Sequence, residues 1–369
     1  MAAGPEFTPP EESVAASLRR DLIAWFDAHQ RDMPWRRTRD PYAIWISEAM
    51  LQQTRVETVM SYWPRFLEAF PDIESLAGAD EEAVLEVWSG LGYYRRARSL
   101  QAAAKVIVER HGGVFPGDLE AVLALPGIGP YTAGAVLSIA LDQPVALVDG
   151  NVERVFSRLF LLDGIRSSGP LLREAWDAAR FFMARAEDGV RPRDWNQAIM
   201  EVGALVCTPR SPNCGACPVG EHCLARAADM SEDLPRPKPK KAAIEVKLEI
   251  YVARRGDDWL LTRRPEGGLM ERMWEFPTVE VSGPGLFPET LEGELDRGLE
   301  PDYDLTELRH GITKHRIQAR VRAAEFQGQA NGTETIWVPK EDVTSLALTG
   351  MAKKVAKALL SRPPTLFEA

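Results

Sequence analysis

The sequence predicts a multidomain protein, an all-α body followed by a smaller α+β domain, and three observations predict it. From Val14 to about Ala227 apolar residues recur at spacings of three and four, broken at proline or glycine. Asp233 to Lys241 then sets three prolines and four basic residues in nine positions, which no helix tolerates, so this stretch reads as extended linker. Beyond it the period drops to two: Val246, Leu248 and Ile250 alternate with Lys247, Glu249 and Tyr251. A chain of 369 residues also exceeds one ordinary core.

The elements can be justified in order. Met1 to Pro10 carries Glu6 and three prolines rather than a basic stretch feeding an apolar run, so no secretory signal is read there. No run of 18 apolar residues occurs, and a cytoplasmic protein, or one on a cytoplasmic chromosome, is the simple expectation. Tyr42 to Leu51 is apolar on nearly every side and predicts a helix buried all round. Glu48 sits inside it, with Ile44 and Leu51 on the same face. An ionised carboxylate there is costly unless paired, so Glu48 should have a raised pKa or a strong partner. That suits a general acid working near neutral pH; a structural ion pair with Arg36 or Arg55 is the plainer alternative.

Short helices are expected over Ala83–Trp88, Ser99–His111, Leu119–Leu125, Tyr131–Leu141 and Leu171–Ala186. Between the first two, Gly90-Leu91-Gly92-Tyr93-Tyr94-Arg95-Arg96 combines a glycine turn, two aromatics and two cations; taken alone, the tyrosines read as core contacts. Leu125-Pro126-Gly127-Ile128-Gly129-Pro130-Tyr131 is a tight turn into an apolar helix. Gly127 and Gly129 can bring bare N–H groups to the helix start, where donors and dipole favour a phosphate. A plain helix-hairpin-helix connection fits equally well. Asp149 follows, placed to cap a helix beginning near Asn151 or to present a carboxylate.

All four cysteines fall within 17 positions, at Cys207, Cys214, Cys217 and Cys223, which points to one metal site rather than staples across a secreted fold. Spacing alone leaves iron–sulfur and zinc both open, with His222 a spare ligand for zinc. After the linker, Trp259–Thr262, Arg316–Val321 and Glu334–Val338 are further strand candidates, giving an α+β domain over residues 245–360. The net charge of −10 argues against nonspecific coating of nucleic acid but permits local basic patches, such as Arg31, Arg36, Arg37 and Arg39.

Together, the hairpin, Asp149 and the cysteine cluster resemble the endonuclease III superfamily of DNA glycosylases. Trp45-Ile46-Ser47-Glu48-Ala49-Met50-Leu51-Gln52-Gln53-Thr54, with Pro34-Trp35-Arg36 and Asp40-Pro41-Tyr42 upstream, resembles its adenine-removing MutY branch. The resemblance implies a helix-hairpin-helix glycosylase core. Its parts would be an iron–sulfur helical domain (1–32 and 146–228) and a six-helix barrel (33–145), followed by a linker (229–244) and a Nudix-like, MutT-like domain (245–360).

It further implies a 4Fe–4S cluster on the four cysteines, Glu48 as acid, and Asp149 as the carboxylate that supports an oxocarbenium-like sugar, with Asn151 holding the geometry. Superfamily members that also cut the backbone carry a lysine where this chain has Tyr131, so base loss without lyase chemistry is expected. The DNA contacts implied are Gly127, Gly129, Arg36 and Arg210, with Gln53, Leu91 and Tyr93 at the opened stack. The partner would be duplex DNA carrying adenine opposite 8-oxoguanine or guanine, met by a monomer away from membranes.

Gly268-Leu269-Met270 and Trp274-Glu275-Phe276-Pro277 carry the MutT-like resemblance. A working Nudix hydrolase needs paired glutamates on one helix to hold Mg²⁺, and Glu289 to Glu300 lacks that pattern, so this domain should recognise rather than hydrolyse. The family reads 8-oxoguanine through a Phe-Ser-His tripeptide. Here Ile312-Thr313-Lys314 stands at that place, followed by His315: Thr313 keeps the hydroxyl and the aromatic is gone. Lys314, Arg316, Gln318, Arg320 and Arg322 would share one strand face and form a phosphate-contacting surface. The alternatives are an endonuclease III-like pyrimidine glycosylase, a non-catalytic lesion binder and a Nudix-type hydrolase. Tyr131, the intact Glu48 and Asp149, and the missing Nudix pattern speak against them in turn.

Overall fold

The computed structural model describes residues 6–184, 189–239, 242–266, 270–286, 299–326 and 335–361. It divides into two compact units, residues 1–79 with 95–239, and residues 80–94 with 240–369. Helices run in chain order as α1 (Glu12–His29), α2 (Pro41–Leu51), α3 (Val56–Ala69), α4 (Ile73–Gly78), α5 (Glu81–Val87) and α6 (Arg95–His111). They continue as α7 (Leu119–Leu123), α8 (Pro130–Leu141), α9 (Gly150–Leu159), α10 (Gly169–Met183), α11 (Pro192–Leu205) and α12 (Leu224–Ala227). All but α5 belong to the first unit.

Two apolar helices form the centre of that unit. Asp40 caps α2 by accepting from the Tyr42 N–H at 3.0 Å, Pro41 occupies its first turn, and Tyr42 to Met50 are all buried. Ile44, Trp45 and Ile46 are each at most 2% exposed and contribute roughly 2 kcal/mol apiece through burial. α8 opens with Pro130, buries Thr132 to Ala140, and packs on α2. Where α8 carries Gly134, an added Cβ would lie 2.2 Å from the Ala146 carbonyl oxygen. The chain leaving α8 therefore runs directly along it before α9 begins at the cap residue Asp149. α11 packs against α1, α8 and α9 and closes this side of the core.

The stretch read as linker is partly tied to the helical unit. Arg236 N–H donates to the Gly164 carbonyl at 2.9 Å, its carbonyl accepts from Arg166 N–H at 2.8 Å, and its guanidinium pairs with Asp163. Leu234 is buried. Proline excluded helix there, as expected, but pairing with residues 163–166 replaces a free extended chain.

In the second unit the strands are β1 (Ile244–Arg255), β2 (Asp258–Arg263), β3 (Trp274–Glu275), β4 (Thr278–Ser282), β5 (Leu299–Ile312), β6 (His315–Phe326) and β7 (Thr335–Pro339), followed by α13 (Gly350–Leu360). β1 pairs parallel with β6, Val246 opposite Ile317 and Leu248 opposite Ala319, and β5 returns antiparallel to β6. The period-two residues Val246, Leu248, Ile250, Ile317 and Val321 form the core with Val355 and Leu359 of α13. Thr349 caps α13 by accepting from Ala352 N–H. Residues 80–94 join this unit: Trp274 Nε1 lies 3.4 Å from Glu82 Oε1, and Lys353 Nζ donates to Ser89 Oγ. Most of the segment read for missing Mg²⁺ ligands, 289–300, lies outside the described residues, as do Gly268 and Leu269.

Candidate active site

Glu48 and Asp149 line one cleft of about 540 Å³ in the helical unit, with Tyr131 and Asn151 beside them. α2 carries Glu48 on its inner side, 5% exposed. Tyr131, in the first turn of α8, donates its hydroxyl to Glu48 Oε2 at 2.5 Å. Burial pushes the Glu48 carboxyl up to about 7, and nearby Asp149 adds to that; the Tyr131 hydrogen bond and Arg36 oppose it. A half-protonated carboxyl at neutral pH can deliver a proton. The Tyr131 phenol is driven well above its ordinary value by the same burial and by the two carboxylates, so it stays neutral.

Asp149 both caps α9 and faces the cleft, so the two sequence alternatives coexist. Its Oδ1 accepts from Asn151 N–H at 2.8 Å and Val152 N–H at 2.7 Å, and its Oδ2 accepts from Asn151 Nδ2 at 2.9 Å. Burial raises the Asp149 carboxyl, and these donors, with Arg154, pull against it by favouring the ionised form. Asn151 Oδ1 accepts from Arg154 Nη2 at 2.8 Å, and Arg154 Nε donates to the Cys207 carbonyl at 2.7 Å. A continuous hydrogen-bonded chain thus runs from Asp149 to the backbone of the first cysteine. Gly203 of α11 presses on the same residue: an added Cβ would lie 2.7 Å from Asn151 Cβ.

Sequence reasoning missed Glu201, the partner of Arg31 and Arg36. Glu201, 1% exposed on α11, accepts from Arg31 and Arg36, with Nη2 to Oε2 distances of 2.7 and 2.9 Å. Burial alone would raise its carboxyl, but the two arginines hold it at about 2. Arg36 therefore lies in the cleft wall, bound to a carboxylate, and it does not pair directly with Glu48. The available signal was Ile199-Met200-Glu201-Val202, an acid inside an apolar helical run as at Glu48. Gln197 and Met200 of α11 also line the cleft.

The turn residues stand as follows. Gly127 has φ +75°, and a Cβ there would meet Ser99 Cβ at 2.4 Å, so hairpin and α6 pack without room for a side chain. Gly129 precedes Pro130 as the N-cap of α8, with open space where its Cβ would be. Gln53 is exposed at the cleft mouth with φ +59°. In the second unit, the Trp88 indole donates to the Gly92 carbonyl and holds the turn that presents Tyr93, 54% exposed. Leu91, expected at the opened stack, is instead buried at 6% exposure. Arg210 is exposed in the loop between the first two cysteines.

Thr313 and Lys314 form the exposed tip of the β5–β6 hairpin, with Thr313 at φ +53° and its hydroxyl on the Ile312 carbonyl. Arg316, Gln318, Arg320 and Arg322 do share the outer face of β6, but the arginines meet carboxylates there. Arg320 pairs with Asp304 at 2.5 Å, Arg322 lies 3.4 Å from Asp304 and 3.8 Å from Glu249, and Arg316 is 3.9 Å from Glu245. This face is charge-matched, which corrects the expectation of a basic phosphate surface.

The four cysteines form no disulfide and line one pocket with Arg158 and Gly220. Burial pushes the Cys217 thiol up to about 11, with the other three cysteines adding to it, so a cation among them is needed to hold four thiolates. Arg158 Nη1 lies 3.3 Å from Cys207 Sγ. An added Cβ on Gly220 would meet Cys217 Cβ at 3.4 Å, so the loop is already drawn tight. The residues fit an iron–sulfur cluster.

Comparison with known proteins bears on both units. Residues 46–181 match the HhH-GPD superfamily of base excision DNA repair proteins, 207–223 the iron–sulfur binding domain of endonuclease III, and 250–358 the NUDIX domain. The cofactor of the chain is accordingly a 4Fe–4S cluster. The chain is 34% identical to an adenine DNA glycosylase of Rattus norvegicus, over 92% of this chain and 77% of the relative. It is 33% identical to one of Buchnera aphidicola subsp. Schizaphis graminum, over 90% and 96%. Among solved structures, a thermostable thymine-DNA glycosylase aligns with TM-score 0.52 and 27% identity, covering 58% of this chain and 98% of that one. Among the described residues no helix is long and apolar enough to cross a membrane. Relatives alike over most of their length, the helix-hairpin-helix core with its iron–sulfur loop, and the NUDIX domain together make the chain a member of the adenine DNA glycosylase family.

Proposed function

We propose that this enzyme removes adenine mispaired with 8-oxoguanine or guanine from duplex DNA, hydrolysing the N-glycosidic bond and leaving an abasic site. The observation that carries this reading is the pair of carboxyl groups in one cleft, Glu48 buried and hydrogen-bonded by the Tyr131 hydroxyl, Asp149 accepting from the Asn151 and Val152 backbone amides and the Asn151 side chain. Glu48 delivers its proton to the adenine ring, which makes the base a better leaving group. Asp149 faces the cation that develops on the sugar and stabilises it or adds to it transiently, as paired carboxylates do in glycosidases. Asn151 and Arg154 hold Asp149 oriented. Tyr131 carries no amine, so no Schiff base forms and the backbone stays uncut.

Glu201 with Arg31 and Arg36 offers a rigid, polar wall on the other side of the cleft, suited to hydrogen-bonding the edge of an extruded base. Cys207, Cys214, Cys217 and Cys223 are assigned as the cluster ligands. These four residues would hold the cluster, which would order their loop by linking its two ends. Gly127 and Gly129 at the start of α8 would grip phosphate, Gln53 and Tyr93 would each contact the opened stack, and Arg210 would meet a phosphate. Thr313 and Lys314 would inspect the base opposite adenine. Both carboxylates come from one chain, so one protomer suffices per site.

Single-turnover cleavage of duplexes carrying A:8-oxoguanine, A:G and A:C tests this reading. Base loss without spontaneous strand nicking, fastest on A:8-oxoguanine, is expected. Equal rates on all three would remove the lesion-reading claim, and nicking without alkali would remove the monofunctional one.

A further inference from the structure

Tyr131 has one hydroxyl proton and two acceptors within reach, and this decides where the proton on Glu48 can sit. The Tyr131 hydroxyl is 2.5 Å from Glu48 Oε2 and 3.6 Å from Met200 Sδ. With Glu48 ionised, the hydroxyl donates to Oε2. With Glu48 protonated along that same short line, the carboxyl O–H donates to the phenol oxygen. The phenol proton must then turn away from Glu48, and a thioether is a weak but sufficient acceptor. We infer that Met200 is a positioning residue for the acid form of Glu48, its sulfur receiving the Tyr131 hydroxyl whenever the carboxyl carries the proton. When Glu48 gives its proton to the base, the hydroxyl swings back onto the new carboxylate and stabilises it.

Met200 is well placed for this. It sits on α11 beside Glu201, whose two arginines fix that part of the helix against the cleft. A buried hydroxyl without an acceptor would penalise the protonated state and so lower the pKa of Glu48. The charged and titratable groups that face Glu48 are Tyr131 from α8, Asp149 at the start of α9, Arg36 from the turn before α2, and, across the same cleft, Arg31 and Glu201. A change at Met200 alters none of them in charge. The neutral state of Tyr131 near pH 7 keeps its proton available for both patterns.

The inference rests on Glu48 acting as the acid, and the test separates the two. Single-turnover base release from an A:G duplex is measured across the neutral range for the parent, Met200→Leu and Met200→Gln, with enzyme in excess. The parent should lose activity as pH rises through about 7. Met200→Leu, similar in volume but without an acceptor, should move that midpoint down by about half a pH unit with the low-pH plateau and duplex affinity kept. Met200→Gln, whose carbonyl can accept, should restore the parent midpoint. In a Tyr131→Phe background, adding Met200→Leu should move nothing.

An unchanged midpoint in Met200→Leu overturns the inference, as does a further shift in the Tyr131→Phe background, which would show a route other than the phenol. A parent profile with no alkaline limb would instead overturn the acid role of Glu48. If Met200→Leu melts far below the parent, the comparison of Met200→Gln with the parent and with Met200→Ala carries the same two outcomes.

Discussion

Glu48 costs the fold stability that its chemistry requires. Burial raises its carboxyl from 4.5 to about 7, so the folded state is favoured most below the lower value and loses that advantage as pH climbs through the upper one. Glu48→Gln should therefore melt higher than the parent at pH 8 by up to roughly 3 kcal/mol, and equally at pH 4, in thermal unfolding with pH varied. Catalysis should move the other way, falling on the order of 10²–10⁴-fold with duplex binding kept. Asp149→Asn keeps cap and shape but not charge, so it should slow base release with little loss of stability. The Glu48 environment was legible because an acid inside an all-apolar helix is conspicuous in sequence. Glu201 was not, because its partners Arg31 and Arg36 lie some 165 to 170 residues away in the chain and only folding reveals them.

At the level of elements, the site depends on close backbone crossings. α11 meets α9 at Gly203, where no Cβ fits against Asn151. Gly203→Ala should push Asn151 and Asp149 out of register and slow base release about tenfold to a hundredfold, with duplex Kd unchanged, in single-turnover and binding assays. Gly127→Ala combines a left-handed φ with a collision at Ser99, and should cost roughly 1–3 kcal/mol in thermal melting while weakening duplex binding. The helices α2, α6, α8 and α10 and the strands β1, β2, β6 and β7 followed from period and turn chemistry, with ends shifted by a few residues. The short strands β3 and β4 did not, since two to five residues carry too little pattern to read. Arg316, Arg320 and Arg322 formed the expected periodic face, but their carboxylate partners lie on neighbouring strands, which periodicity cannot show.

For the whole molecule, a net charge of −10 means that binding to DNA rests on few and local contacts. The hairpin amides and the Tyr93 turn would be such contacts under the proposed function, and neither needs a basic surface. Recognition of the opposite base is expected at the β5–β6 tip: Thr313→Ala should reduce the A:8-oxoguanine to A:G rate ratio severalfold while leaving the A:G rate near that of the parent. A variant with both rates reduced alike would assign Thr313 to general binding.

The central claim is that one buried carboxyl, poised near neutrality, drives the loss of adenine. It is tested most directly by single-turnover base release on A:8-oxoguanine duplex from pH 5 to 9, parent beside Glu48→Gln. The account predicts a parent rate that falls with a midpoint near 7 and a Glu48→Gln rate at least about a hundredfold lower at every pH. A Glu48→Gln enzyme that releases adenine at the parent rate would contradict it.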